Sequence, residues 1–209
     1  MKEGESLIGI MADSHGQPEP IRRALEKLLS LGCQHIYHLG DICDSMIPQT
    51  ADECVDLLIE AGVRGVKGNN DHAVVANQWG MNTGLVRDDT LQYLKDLPKS
   101  LEWHGADFAH SMPFTKEMGL SAMVGPMSEV QIFKYFSQKS RGLFFRGHSH
   151  DPALASLVRG SLTIQSLEPG RLLLLEERLP CVITCGALTR GYITLWDPGA
   201  CTIQCLSIG

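Results

Sequence analysis

The sequence predicts an α/β fold of two stacked sheets with helices outside. Three observations predict it. In the first part of the chain, short apolar runs alternate with amphipathic stretches, the pattern of parallel strands joined by right-handed crossovers. From Leu154 onward the chain reads as strands and turns only. Several apolar runs end directly in a ligand-type residue, and ligands in open α/β sheets gather beyond the carboxyl ends of strands.

Leu7–Met11 reads as a buried strand. A helix follows, with Pro18 and Pro20 near its start, apolar positions at Ile21, Ala24, Leu25, Leu28 and Leu29, and Gly32 as its stop. His35–Leu39 is the next strand. A second helix covers about Asp52–Ala61, stopped by Gly62, and Val63–Lys67 is the third strand. Leu91, Leu94 and Leu97 mark a short helix that begins after Asp88 and Asp89 and ends at Pro98. Leu101–Ala109 is expected as a hairpin turning at His104-Gly105. Ser128 and Gln131 form a capping-box pattern before a helix through Phe136, and Leu143–Arg146 is another strand. Asp197-Pro198-Gly199 reads as a late hairpin tip. No repeat, linker or boundary interrupts the chain, so residues 1–209 are expected to form a single domain.

Asp13 follows the run ending at Met11, with His15 two residues on. Asp41 follows Leu39, Asn69 follows Lys67, His110 follows Ala109, and His148 and His150 follow Arg146. These seven oxygen and nitrogen donors can meet at one sheet edge and hold two divalent cations. Gly40, Gly68 and Gly147 precede three of them and permit tight turns and close backbone approach there.

Composition narrows the class. At 44% hydrophobic and 20% charged the chain reads as an ordinary globular protein. A net charge of −6 points away from a nucleic-acid tail or polybasic membrane patch, and no apolar run is long enough to span a bilayer. The Met1–Ser6 start carries acids, and the Leu7–Met11 run after it is too short for a signal peptide. Seven cysteines without compact spacing suggest reduced thiols and a cytoplasmic location.

The ordered motifs Asp13-Ser14-His15, Gly40-Asp41, Gly68-Asn69, His110 and Gly147-His148-Ser149-His150 resemble the calcineurin-like metallophosphoesterase superfamily, most of all its small single-domain phosphodiesterase branch. The resemblance runs from Asp13 to about Ile183–Ala187. It implies a four-layer α/β/β/α sandwich of two mixed sheets flanked by helices. It implies one metal held by Asp13, His15, Asp41 and His150, and a second held by Asp41, Asn69, His110 and His148, with Asp41 bridging. The implied activity is phosphodiester hydrolysis, in which a metal-bridging hydroxide attacks phosphorus in line. The mixed His, Asp and Asn set suits two transition-metal ions from Mn, Fe, Zn and Ni better than Mg or Ca. Manganese is a natural test ion. The implied partner is a small phosphoester, nucleotide-like in one reading, and the homo-oligomers common among small relatives extend by analogy to this chain.

The chain departs from the family in the third motif. Gly-Asn-His-Asp or Gly-Asn-His-Glu is common there, and here it is Gly68-Asn69-Asn70-Asp71. The missing histidine usually protonates the leaving group. An asparagine amide donates a hydrogen bond but gives up no proton at neutral pH. Such acid help is typically worth about 10²–10⁴-fold, so the chain is expected to favour diesters with low-pKa leaving groups over alkyl monoesters. Asp41, Asn70 and Asp71 are the residues expected at the reacting centre, with His72 as a substitute donor. The fourth motif reads His110-Ser111 rather than His-Gly, and a late Asn-Pro-Gly-Ser appears as Cys185-Gly186-Ala187-Leu188.

Other residues carry plainer expectations. His35 and His38 read as satisfied core or rim histidines, and His104 as solvated in its turn. Met112, Met118, Met123 and Met127 are expected to fill core beneath a long loop. Cys181 and Cys185, and Cys201 and Cys205, lie four apart on strands, about 13 Å along the chain, so buried thiols are expected rather than a zinc knot. Asp44 is either an outer support for a ligand or a solvated loop acid. The alternative functions are a phosphomonoesterase or phosphoprotein phosphatase, which Asn70 argues against, and a non-catalytic protein-binding scaffold on the same fold, which the full ligand set argues against.

Overall fold

The computed structural model describes residues 6–81 and 83–209. The Met1–Glu5 part of the polar start lies outside them. The strands are β1 Ile8–Met11, β2 His35–His38, β3 Arg64–Gly65, β4 Ser100–Trp103, β5 Ala106–Ala109, β6 Leu143–Arg146, β7 Ala153–Val158, β8 Ser161–Ser166, β9 Leu172–Leu174, β10 Cys181–Thr184, β11 Tyr192–Asp197 and β12 Thr202–Ser207. The helices are α1 Pro18–Ser30, α2 Ala51–Glu60, α3 Asn69–Gln78, α4 Asp88–Asp96, α5 Thr115–Met118 and α6 Glu129–Gln138.

Two six-stranded sheets form, in the orders β3-β2-β1-β11-β12-β9 and β4-β5-β6-β10-β7-β8. Both are mixed. In the first, β1, β2 and β3 run parallel and β11 antiparallel to β1. In the second, β5, β6 and β10 run parallel. The ligand-bearing strands are therefore parallel within each sheet, which brings their carboxyl ends to a common edge.

Alternation along each strand sorts side chains into layers. Ile8, Ile10, Tyr37, Leu39, Phe108, Phe145, Ile183 and Trp196 fill the space between the sheets. Within it the Tyr37 ring stacks on Phe108 with centroids 4.7 Å apart, and Phe108 stacks on Phe145 at 5.3 Å. These contacts fix β2 against β5 and β6, three strands whose ends carry donors. Met11 points the other way, into a layer with Ile21, Ala24, Leu25 and Leu28 of α1 and Val55 and Leu58 of α2. The spacing of those α1 residues is one helical stripe. On the far side, Ile132, Tyr135 and Phe136 of α6 cover Phe144, Ala155 and Val182. The result is the four-layer α/β/β/α arrangement.

The elements expected in the first part of the chain are present, with β3 cut to two residues. The helix α3 was not expected. It buries only Asp71 and Val74, so it carries no apolar stripe for periodicity to register. Its one sequence signal is Asp71, whose Oδ2 accepts from Gly68 N–H at 2.9 Å, an acid three residues into a helix start. Met112, Met123 and Met127 are buried, and Met118 packs against the α6 layer. The seven cysteines are free; six are buried and Cys201 is half-buried. Among the described residues no helix is long and apolar enough to cross a membrane.

Candidate metal centre

The donors fall into two clusters, Asp13 with His15 and His150, and Asp41 with His110 and His148; within each, the ligand atoms lie within 4.8 Å of one another. In the first, His15 Nε2 faces His150 Nε2 at 3.1 Å, and His150 Nε2 is 3.6 Å from Asp13 Oδ1. In the second, His110 Nε2 is 3.1 Å from His148 Nδ1 and 3.5 Å from Asp41 Oδ2. Asp41 Oδ2 is also 3.9 Å from His15 Nε2, so one carboxylate oxygen looks into both clusters. Asn69 joins the second cluster, with Oδ1 3.1 Å from His110 Nε2. Each cluster takes residues from the ends of both sheets.

The chemistry of the donor set fits a divalent ion in each cluster. His110 Nδ1 lies 2.8 Å from the Leu39 carbonyl, a contact that calls for a proton on Nδ1 and leaves the Nε2 lone pair for the cluster. The end of the Asn69 amide that enters the second cluster meets His110 Nε2, His148 Nδ1 and the Met123 carbonyl, each at 3.1 Å; its NH2 satisfies all three without an ion, and its oxygen would take that place against a cation. Asp13 accepts from His148 N–H at 3.2 and 2.9 Å through its two oxygens, which locks the loop carrying His148 and His150 onto the end of β1.

Without an ion, these groups share protons among themselves. Burial pushes the Asp13 carboxyl up to about 7, against the pull of nearby His110. Burial also pushes Asp41 up, but the hydrogen bond and charge of His110 and the bonds from Asn70 outweigh it and hold Asp41 well below the usual carboxylate range. Burial pulls His110 down, yet the bond and charge of Asp41 raise it to about 9. Burial and the charge of His110 lower His148 to about 4. A buried proton on His110 thus occupies the place where a cation would neutralise the same carboxylates.

The backbone is held in an unusual state around the centre. Asp13, His15, Asp41, His148 and His150 have φ of 55°, 45°, 53°, 64° and 58°, all in the left-handed region that L-residues avoid. Only three other non-glycine residues among those described do so: His104, Arg159 and Cys201. Such clustering is characteristic of sites whose surroundings over-determine the chain. The loops also press together. A Cβ on Gly68 would lie 2.1 Å from Asp41 N, and one on Gly40 would lie 2.6 Å from Gly68 N. The glycines expected to admit a ligand thus first let the ligand loops meet each other.

The residues expected at the reacting centre occupy different depths. Asn70 donates to Asp41 through its backbone N–H to Oδ1 at 2.7 Å and its side-chain amide to Oδ2 at 2.9 Å. Asp71 is fully buried, and its two oxygens accept from Cys43 N–H at 3.0 Å and from Gly68 N–H. Burial and the Asp41 charge push its carboxyl up to about 6. His72 is half-buried on α3. His38 departs from the expected satisfied histidine: Nε2 meets Ser14 Oγ at 3.0 Å, while Nδ1 is buried without a hydrogen-bond partner among the described residues. Burial lowers it to about 3, which keeps the ring neutral. His104 is exposed against Trp103. Asp44 takes the solvated role, capping its own turn by accepting from Met46 N–H.

Sequence reasoning missed Arg146. It is buried at the end of β6 and donates to the Ser111 carbonyl at 2.7 Å, Ser111 Oγ at 3.2 Å, Ser149 Oγ at 2.8 Å and Thr184 Oγ1 at 3.2 Å. Ser111 follows His110, and Ser149 lies between His148 and His150, so one guanidinium ties together the loops of three histidine donors. The available signal was a charge closing the apolar run Leu143–Phe145 just before Gly147.

The chain resembles known proteins over most of its length. A relative of uncharacterized role from Methanocaldococcus jannaschii, MJ0912, is 25% identical over 191 residues, which cover 84% of this chain and 70% of the relative. A metallophosphoesterase from Sphaerobacter thermophilus superposes with a TM-score of 0.74 at 22% identity, covering 98% of this chain and 88% of that one. The Thermus thermophilus protein TT1561 superposes at 0.52 with 13% identity, covering 98% and 99%. At these identities the superpositions speak for the fold alone. The family model for the calcineurin-like phosphoesterase superfamily domain matches residues 7–185, a span that contains every donor described above, and the chain belongs to that superfamily.

Proposed function

We propose that the chain is a binuclear metal-dependent phosphoesterase that acts on phosphodiesters, nucleotide-like or small organic. The observation that carries this reading is the position of Asp41, whose Oδ2 faces His15 of one cluster and His110 of the other at 3.9 and 3.5 Å. Asp13, His15, Asp41 and His150 would hold one divalent ion and Asp41, Asn69, His110 and His148 a second, which would supply Lewis-acid charge and a nucleophile at neutral pH.

The chain's own groups do the rest. The Asn70 amide and N–H aim the Asp41 carboxylate. Asp71 is a positioning residue that joins the Gly68 turn to Cys43 behind the site. The Asn70 amide has no proton to give a leaving group, which supports diesters with acidic leaving groups over alkyl monoesters. The donor chemistry supports Mn, Fe, Zn or Ni.

The test is metal-free protein reconstituted with Mn, Ni, Zn or Mg and assayed on an aryl phosphodiester and the matching monoester. Diester turnover restored by Mn or Ni, with the monoester slower, is the expected result. A faster monoester would replace this reading with a phosphomonoesterase. A protein that binds two ions yet is inert on both would replace it with a scaffold.

A further inference from the structure

Behind the His148-Ser149-His150 loop, on the face of the second sheet that α6 covers, lies a cavity of about 300 Å³. One wall is apolar, formed by Met127, Ile132 and Val182; the other is polar, formed by Arg146, Ser149 and Thr184. This volume stands at the lower end of the range for small-molecule sites, and the lining sets a few polar groups against an apolar wall.

The polar wall has unspent hydrogen-bonding capacity. Arg146 is only 4% exposed, and its four protein hydrogen bonds all go to neutral oxygens. A guanidinium has five N–H groups, so one on Nη2 is left over. Ser149 Oγ and Thr184 Oγ1 accept from Arg146 at 2.8 and 3.2 Å, and neither hydroxyl donates to a protein acceptor among the described residues. Three donors thus surround a buried positive charge that has no carboxylate partner among those residues. The one acid on the lining, Asp151, lies at the exposed rim and is engaged by Arg190. Asp13 acts on this charge only through space, with no direct ion pair; a buried charge left without a paired counter-ion is costly, and an oxyanion would offset it.

We propose that this cavity is a second ligand site, which takes a small molecule with an oxyanion head against Arg146, Ser149 and Thr184 and an apolar body against Met127, Ile132 and Val182. The oxyanion belongs either to a free molecule or to the far arm of the phosphoester. The cavity stands on its own geometry, and only its link to turnover rests on the phosphoesterase reading.

The test titrates 4-ethylbenzoate and its neutral counterpart 4-ethylbenzamide into the full chain by calorimetry, both metal-free and loaded with Mn. The expected result is saturable benzoate binding in both states. The benzamide should bind at least about tenfold more weakly, because the charge-assisted bonds are lost. Ala153→Phe, which fills the cavity from β7, and Thr184→Val, which removes one donor, should each weaken benzoate binding by about tenfold or more. Either variant decides if the other fails to fold. Binding only to the Mn-loaded protein, or equal binding by both variants, overturns the proposal by placing the benzoate at the metals or on the surface. With Mn-loaded protein turning over methyl 4-nitrophenyl phosphate, benzoate that raises KM in the wild type but not in Thr184→Val assigns the cavity to the substrate's far arm. Benzoate that leaves KM unchanged assigns it to a free ligand. Absence of turnover counts against the phosphoesterase reading and leaves the binding result standing.

Discussion

Asn70 grips both oxygens of Asp41, with its N–H at 2.7 Å from Oδ1 and its side-chain amide at 2.9 Å from Oδ2. The residue that departs from the family motif therefore orients the carboxylate that both clusters share. Bonds to a charged acceptor are worth about 1.5–3 kcal/mol, so Asn70→Ala should lower diester turnover by about tenfold or more. Asn70→His should return a proton donor, raise the alkyl monoester rate and flatten the dependence on leaving-group pKa. A leaving-group series on the three proteins checks this, and unchanged slopes in Asn70→His refute the acid argument.

Asp41 and His15 should differ in how much metal they hold. Asp41→Ala removes a donor from both clusters and is expected to leave less than one ion per chain and to cut turnover by at least about 10³-fold. His15→Ala should leave about one ion, in the cluster of Asp41, His110 and His148. Metal content by mass spectrometry, measured beside the assay, separates the two.

Gly68 should tolerate no side chain. A methyl there would sit 2.1 Å from Asp41 N and 2.2 Å from Asp41 Oδ1. Overpacking typically costs about 1–3 kcal/mol, so Gly68→Ala should lower Tm by about 3–10 °C and abolish metal binding. A variant with wild-type Tm and two bound ions would contradict this account of the turn.

Chelation should loosen the fold measurably. A ligand at a hundred times its Kd stabilises by about 2.7 kcal/mol per site, so adding Mn to metal-free protein should raise Tm by about 5 °C or more. A scan with and without EDTA reads the shift directly.

The cysteines should be slow to react. Burial pushes the thiols of Cys54 and Cys181 up to about 12 and those of Cys33 and Cys205 up to about 11. A raised thiol pKa means a very small thiolate fraction at pH 8, rising only as the pH approaches those values. Alkylation of the native protein at pH 8 should label Cys201 first, with the others labelled only after denaturant is added. Peptide mapping identifies the labelled residue.

The order of the donors was legible because five of the seven closely follow a predicted strand and His15 and His150 lie two residues further on, and the parallel pairing of β1 with β2 and β5 with β6 turns that order into proximity. The two-sheet arrangement was legible from the change in texture after Leu154. The helix α3 was not, because its polar face surrounds only Asp71 and Val74 and periodicity needs a stripe. Arg146 was not, because a strand-end arginine reads as a solvated terminus until the partners of its guanidinium are seen. The left-handed backbone at Asp13, His15, Asp41, His148 and His150 has only a weak sequence signature, since Asp and His enter that region more often than most L-residues but none of these is a glycine.

Each donor cluster draws on both sheets, Asp13 and His15 meeting His150 across the sandwich and Asp41 meeting His110 and His148. Neither half can assemble a working pocket by itself. During refolding, paired-ion uptake should therefore begin only once the two layers have docked in final register, which makes it a reporter of finished molecules.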